Sequence, residues 1–221
     1  MSDTLSPGVL FDVDGTLLDT NYLHVLAWWQ ALNDAGREGV SMAAIHRAIG
    51  IASEGLLERL LGETDDTAEE AHSRRYEALR DQVTAFPRTA ELVAAVADRG
   101  FKAVLATSGK KDDLEWMLPA IGAEDGFAGA TTSSDVDAGK PSPDLLTAAL
   151  DEHGLDPGRT VVVGDTVWDV QAAERAGLPC IALTCGGISE AELREAGAAE
   201  VYDGPADLLE RLDESLLGRL V

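Results

Sequence analysis

A chain of 221 residues with 40 Asp and Glu against 17 Lys and Arg carries a formal charge of −23. Such an acidic surface repels phosphate backbones and anionic lipid, so nucleic acid and membrane are excluded as partners. No apolar stretch is long enough to span a bilayer and the opening MSDTLSPG lacks the pattern of a secretion signal, so a soluble cytoplasmic protein is expected, one domain with a large insertion or two small domains.

Short apolar runs rich in β-branched residues at 9–13, 102–106, 160–164 and 180–184, with a weaker one at 200–202, predict buried parallel strands. Amphipathic stretches of helical period at 89–99, 144–153, 167–176 and 206–216 alternate with them, the pattern of a sheet covered by helices on both faces. The interval from about 19 to 85 breaks the alternation. It holds helical patterns at 21–34, 41–48, 54–61 and 67–83, punctuated by Gly36, Gly39, Gly50 and Gly62, and no strand. The expectation is an α/β protein with a Rossmann-like parallel core, formed by residues 1–18 and 86–221, and an all-α insertion over 19–85. Cys180 and Cys185 belong to no His/Cys cluster and no CxxC pair, and read as free thiols.

Chemistry-bearing residues recur where the strands end. The first strand runs into Phe11-Asp12-Val13-Asp14-Gly15-Thr16, which puts two carboxylates at the edge where open α/β sheets bind ligands. The second ends in Thr107-Ser108-Gly109, a hydroxyl-bearing turn with successive amides suited to a phosphoryl oxygen or, equally, to a helix cap. Gly139-Lys140-Pro141-Ser142-Pro143 holds one of only four lysines in the chain, the others being Lys102, Lys110 and Lys111. In so acidic a protein a site for an anion needs a local cation, and this fixed lysine is the candidate. The strand at 160–164 leads into Asp165, with Asp169 one helical turn further on, oxygen donors of the kind a hard cation such as Mg²⁺ takes.

The motifs DVDGTLLD, ATSG, GKPSPD and GDTVWD, in that order and spacing over residues 12–169, resemble those of the haloacid dehalogenase superfamily. The helical insertion directly after the first motif resembles the C1 cap of the branch containing phosphoglycolate phosphatase and β-phosphoglucomutase. The resemblance implies a Mg²⁺-dependent phosphatase of a small phosphorylated metabolite, phosphoglycolate or sugar-phosphate-like. Asp12 would be the nucleophile and Asp14 the general acid and base, while Thr107, Ser108, Gly109 and Lys140 would hold the phosphoryl group. Mg²⁺ would be held by Asp12, the Asp14 backbone carbonyl and Asp165, with Asp169 as a ligand or acting through a water. The insertion would be a lid hinged near 19–20 and 85–87, with His24, Arg47 and the loop 50–53 reaching the substrate and Trp28 and Trp29 packing the lid. A monomer or simple homodimer is expected.

Rival readings follow from the same residues. A dehalogenase of this superfamily lacks the second aspartate, which Asp14 supplies here. A phosphonate hydrolase needs a cap lysine, and residues 19–85 contain none. A phosphosugar mutase uses the same core groups and stays open, as does a non-catalytic binding protein on this fold.

Overall fold

Strand β1 (Ser6–Phe11) lies in the middle of the sheet because its side chains are apolar on both faces: Val9 and Phe11 enter one core cluster and Leu10 the opposite one. The same division recurs in β2 (Lys102–Thr107), β4 (Leu155–Gly164) and β5 (Cys180–Leu183), where Leu105, Val163 and Ile181 face one way and Val104, Val162 and Ala182 the other. With β3 (Gly129–Thr132) and β6 (Glu200–Tyr202) these strands make one six-stranded sheet of order β3-β2-β1-β4-β5-β6, every pairing parallel. A parallel sheet buried on both faces requires helices on both, as the alternation in the sequence predicts. The computed structural model describes residues 5–220. The first four residues and Val221, which the sequence reading assigns to the core, lie outside the described residues.

Four helices fill the interval after β1: α1 (Asn21–Asp34), α2 (Met42–His46), α3 (Ser53–Leu61) and α4 (Asp66–Glu77). Apolar residues at helical spacing, among them Val25, Trp28 and Leu32 of α1, close with Ile45, Leu56 and Leu57 into a third cluster apart from the two on the sheet. The chain enters and leaves this unit through two paired strands of backbone, with Asp19 N–H donating to Thr84 C=O at 2.9 Å and Phe86 N–H to Leu17 C=O at 3.0 Å. Of the remaining helices, α5 (Thr89–Asp98), α6 (Leu114–Ile121), α10 (Pro205–Glu210) and α11 (Leu216–Arg219) cover one face of the sheet. The other face is covered by α7 (Asp144–His153), α8 (Val167–Ala176) and α9 (Glu190–Glu195).

The structure departs from the sequence reading in five places. Edge strand β3 and helix α6 were not anticipated. The helix expected over 206–216 stops at Glu210 and resumes at Leu216, because the Ser215 hydroxyl accepts from Leu217 N–H at 3.2 Å and starts a new helix there. The helix expected over 67–83 begins one residue earlier, capped by the Asp65 carboxylate on Ala68 N–H at 3.0 Å, and ends at Glu77 before a short 3₁₀ turn. Trp28 is buried as expected of a packing residue, but Trp29 is 40% exposed and packs little, its neighbour having taken the inward position.

Leu105 is fully buried in β2, and no neighbouring element can collapse into its space without leaving the sheet. Leu105→Ala is expected to lower the stability of the chain by about 2–5 kcal/mol, read from the urea midpoint at unchanged m-value.

Candidate active site

From β1 the chain moves outwards through β2 to β3, and from β4 outwards through β5 to β6, so the connections after β1 and β4 part and open a crevice between them. Asp12 is the first residue beyond β1, and its backbone N–H donates to Val163 C=O of β4 at 2.9 Å, which fixes it at that crevice. Asp165 is the first residue beyond β4. Asp169 arrives from the first turn of α8 in a capping box: its carboxylate accepts the Thr166 N–H at 3.0 Å while its own N–H donates to the Thr166 hydroxyl at 3.3 Å. Close packing here needs glycine. A Cβ on Gly164 would stand 2.4 Å from Asp169 Cγ, and one on Gly186 would stand 1.7 Å from Asp165 Oδ2.

The carboxylates of Asp12, Asp165 and Asp169 are buried and offer oxygens within 4.8 Å of one another. Lys140 enters from the loop before α7, only 1% exposed, with Nζ 2.5 Å from Asp12 Oδ1 and 2.7 Å from Asp169 Oδ1. Among the described residues Asp165 pairs with no cation; its oxygens accept from the Thr16 hydroxyl at 2.9 Å and from Asn21 Nδ2 at 2.8 Å. One ammonium thus faces three carboxylates. Burial works against the charge on Lys140, but Asp12 and Asp169 outweigh it and hold the ammonium more firmly protonated than an ordinary lysine. Burial pushes Asp12 up to about 7, Lys140 pulling against that and Asp169 adding to it, and burial with the two neighbouring carboxylates raises Asp165 well above the usual range. An all-oxygen, buried donor set with more negative than positive charge fits a hard cation.

Asp14 stands apart from that cluster. Its carboxylate accepts from the Thr20 hydroxyl at 2.7 Å and faces His24 Nε2 at 3.3 Å. Burial acts to raise it, but His24 and Thr20 outweigh burial and hold it below the ordinary carboxylate range. Two aspartates two residues apart therefore occupy opposite electrostatic settings, Asp12 raised and Asp14 lowered. The role assigned to Asp14 at a metal rests on its backbone carbonyl, since its side chain is turned to Thr20 and His24.

Of the other residues singled out from the sequence, Thr107 is fully buried at the end of β2 and its hydroxyl accepts the Gly109 N–H at 3.0 Å. The Ser108 hydroxyl donates to Gly50 C=O of the insertion at 2.9 Å, so loop 50–53 sits over this turn. The structure does not bring Arg47 to the carboxylates: its guanidinium engages Glu192 on α9 and its backbone C=O accepts the Trp168 indole N–H at 3.1 Å. A surface acid 145 residues away captures the arginine before it can turn inward. Of three further residues near Asp14, the sequence offers Thr20 only as a hinge position and does not single out His72 or Tyr76. Thr20 holds the acid directly, while His72 and Tyr76 of α4 line up behind His24, with His72 Nε2 3.2 Å from His24 Nδ1 and the Tyr76 ring stacked on His24 at 3.8 Å. The signal for the last two was the i, i+4, i+8 spacing of Ala68, His72 and Tyr76 on one inward helix face.

Fold and crevice define a doubly wound α/β enzyme with an acidic, lysine-neutralised centre and a helical insertion over it. The chain belongs to the haloacid dehalogenase-like hydrolase family, whose profile matches residues 7–177. The crystal structure of a hydrolase from Pseudomonas syringae superposes with a TM-score of 0.87 at 38% sequence identity, covering 94% of this chain and 98% of that one. Among curated relatives, probable phosphatase IndB of Dickeya dadantii is 30% identical over 207 residues, 90% of each chain. The phosphoglycolate phosphatase of Yersinia pestis is 30% identical over 188 residues, 81% of each.

Removing the ammonium while keeping the volume of its stem isolates its electrostatic role. In metal-free buffer Lys140→Met is expected to cost about 3–5 kcal/mol at pH 8, where the buried carboxylates are left charged and unpaired, and less at pH 5, where they can take up protons. Urea unfolding at the two pH values in EDTA checks this, and an equal cost at both would refute it.

Proposed function

We propose that this chain is a Mg²⁺-dependent phosphatase that releases phosphate from the monoester of a small metabolite by way of a phospho-aspartate on Asp12. The observation that carries the reading is the pairing of Asp12, 2.5 Å from buried Lys140, with Asp14 two residues on and in a separate environment. Residues 1–18 and 86–221 would form the core and residues 19–85 a helical cap, a division supported by the separate apolar cluster of α1–α4 and the paired connections at 17–19 and 84–86.

Asp14, held ionised in the free chain by His24 and Thr20, takes up a proton as the phosphoryl dianion arrives beside it; an Asp12 carboxylate oxygen then attacks phosphorus in line with the departing ester oxygen, which takes that proton from Asp14 and leaves as the alcohol. Asp14, now ionised, takes a proton from the water that attacks the phospho-aspartate, and inorganic phosphate departs with the Asp12 carboxylate restored. Lys140 offsets the charge of Asp12 and of the transferring group, and Thr107, Ser108 and the Gly109 amide hold phosphoryl oxygens at the end of β2. Asp169 positions Lys140, an assignment supported by their 2.7 Å contact. Asp12, Asp165, the Asp14 carbonyl and Asp169 would hold Mg²⁺, which would supply positive charge against the three carboxylates and the phosphate dianion. Loop 50–53 and His24 place the cap against this centre and exclude bulk water. Arg47 is not included among the substrate contacts.

The test is phosphate release from a panel of phosphorylated metabolites. Release is expected with Mg²⁺, to vanish in excess EDTA and in Asp12→Asn, and to fall about 10²–10⁴-fold in Asp14→Asn. Full turnover in EDTA would overturn the metal-dependent mechanism. Conversion of a sugar phosphate that needs a bisphosphate activator and frees little phosphate would make the enzyme a mutase instead.

A further inference from the structure

Residues 19–85 supply six cationic side chains, all arginines, and each is engaged away from the carboxylate cluster. Arg37 pairs with Glu63 and Asp65, Arg47 with Glu192, Arg74 with Glu70 and Arg75 with Asp34. Arg59 lies over the Trp168 ring at 4.7 Å, and Arg80 pairs with Asp113 at 2.7 Å while lying over Trp116. On the core side Lys110 pairs with Glu69 at 3.1 Å. Among the described residues no arginine of the insertion is directed at Asp14, where a leaving group would stand.

Behind His24, which faces Asp14, the neighbouring side chains are aromatic. Tyr76 stacks on His24 at 3.8 Å with its ring edge to Trp116 at 5.9 Å, and His72 stacks on Trp28 at 4.0 Å. His72 is buried, and burial drives its imidazole well below its usual value, so it adds no charge. Tyr76 is only 5% exposed, and its hydroxyl has no hydrogen-bond partner among the described residues. A buried hydroxyl left unpaired is costly unless an arriving group satisfies it. Burial, with Asp14 and Asp113 beside it, pushes this phenol far above its ordinary range, so it stays neutral and can donate at any working pH. An uncharged oxygen suits that donor, whereas a carboxylate would be brought close to Asp14 and Asp113, which already engage the nearest basic groups, His24 at 3.3 Å from Asp14 and Arg80 at 2.7 Å from Asp113.

Resting on the phosphatase reading above, we propose that the leaving group is an uncharged, hydroxyl-bearing alcohol, so that the substrates are polyol or sugar phosphates and not phosphorylated carboxylic acids, and that Tyr76 is the specificity-determining residue that recognises the hydroxyl. Aromatic faces flanking a polar handle suit the alternating CH and OH surface of such a molecule.

Three esters of matched size separate the possibilities: 2-hydroxyethyl phosphate, 2-phosphoglycolate and ethyl phosphate. The wild-type enzyme is expected to favour 2-hydroxyethyl phosphate over 2-phosphoglycolate by tenfold or more in kcat/KM. Tyr76→Phe is expected to lower the ratio of 2-hydroxyethyl to ethyl phosphate about tenfold, a change in selectivity that a merely structural loss would not produce. Preference for 2-phosphoglycolate in the wild type overturns the proposal, needs no variant to be read, and leaves the phosphatase reading standing. An unchanged ratio in folded Tyr76→Phe removes Tyr76 from the assignment. Phosphate release from none of the three, nor from p-nitrophenyl phosphate, sinks both readings together.

Discussion

Everything at the crevice depends on one ammonium. Lys140 is almost wholly removed from solvent and lies between the Asp12 and Asp169 carboxylates. None of these three charges would survive burial alone, because the desolvation of an isolated ion exceeds anything the rest of a small domain could offset. Together they are tolerable only if the end of β1, the loop before α7 and the first turn of α8 are brought to within hydrogen-bonding reach. The parallel sheet does this by placing β1 beside β4, with glycines at 164 and 186 letting backbone and carboxylate approach more closely than any side chain would allow. Asp165 completes the cluster with neutral partners only, which leaves the centre negative and explains why it fits a cation.

The insertion is tied into the same centre by its first turn. Asn21, the first residue of α1, donates to Asp165 and to Gly186 C=O, and three residues on, His24 faces Asp14. A helix that begins at the end of a connection from the first motif therefore carries both contacts on one side, as residues three apart must. On its far side the insertion meets the core through Gly50 on Ser108 and Arg47 C=O on Trp168. The fold thus divides the work: rigid strand ends position the charged groups, and the helical unit determines what else touches Asp14.

How much of this was legible depended on whether the signal was local. Four strands are readable because their apolar runs are buried on both faces, and edge strand β6, where only Tyr202 is buried, reads more weakly. Strand β3 reads Gly-Ala-Thr-Thr, short and weakly apolar, and becomes a strand only by pairing with β2 at the sheet edge. Helix α6 carries Pro119 in its interior, which weakens a helical reading of the sequence alone. Asp12, Thr107 and Asp165 are visible because they close or directly follow a strand, Lys140 because it is one of four lysines in an acidic chain, and Asp169 because it stands one helical turn beyond Asp165. The turn of Arg47 towards Glu192 is not legible because nothing near it in sequence announces that acid, and Tyr76 does not stand out because an aromatic at helical spacing is ordinarily core. Its unpaired hydroxyl becomes informative only when its surroundings are known.

The acidity that opened the problem also constrains its answer. A formal charge of −23 opposes any anion approaching from solution, and at the centre the charge is met by Lys140 and an all-oxygen cluster suited to a cation. That arrangement compensates for one anionic group, the phosphoryl, and no more. A second anion on the leaving side would need a second cation, and the arginines of the insertion are spent on its own surface, on α9 and on tryptophan faces. Charge balance in the crevice and the aromatic wall beside Asp14 are therefore two consequences of one distribution of cations, set by where five arginines find their acids and Arg59 a tryptophan face.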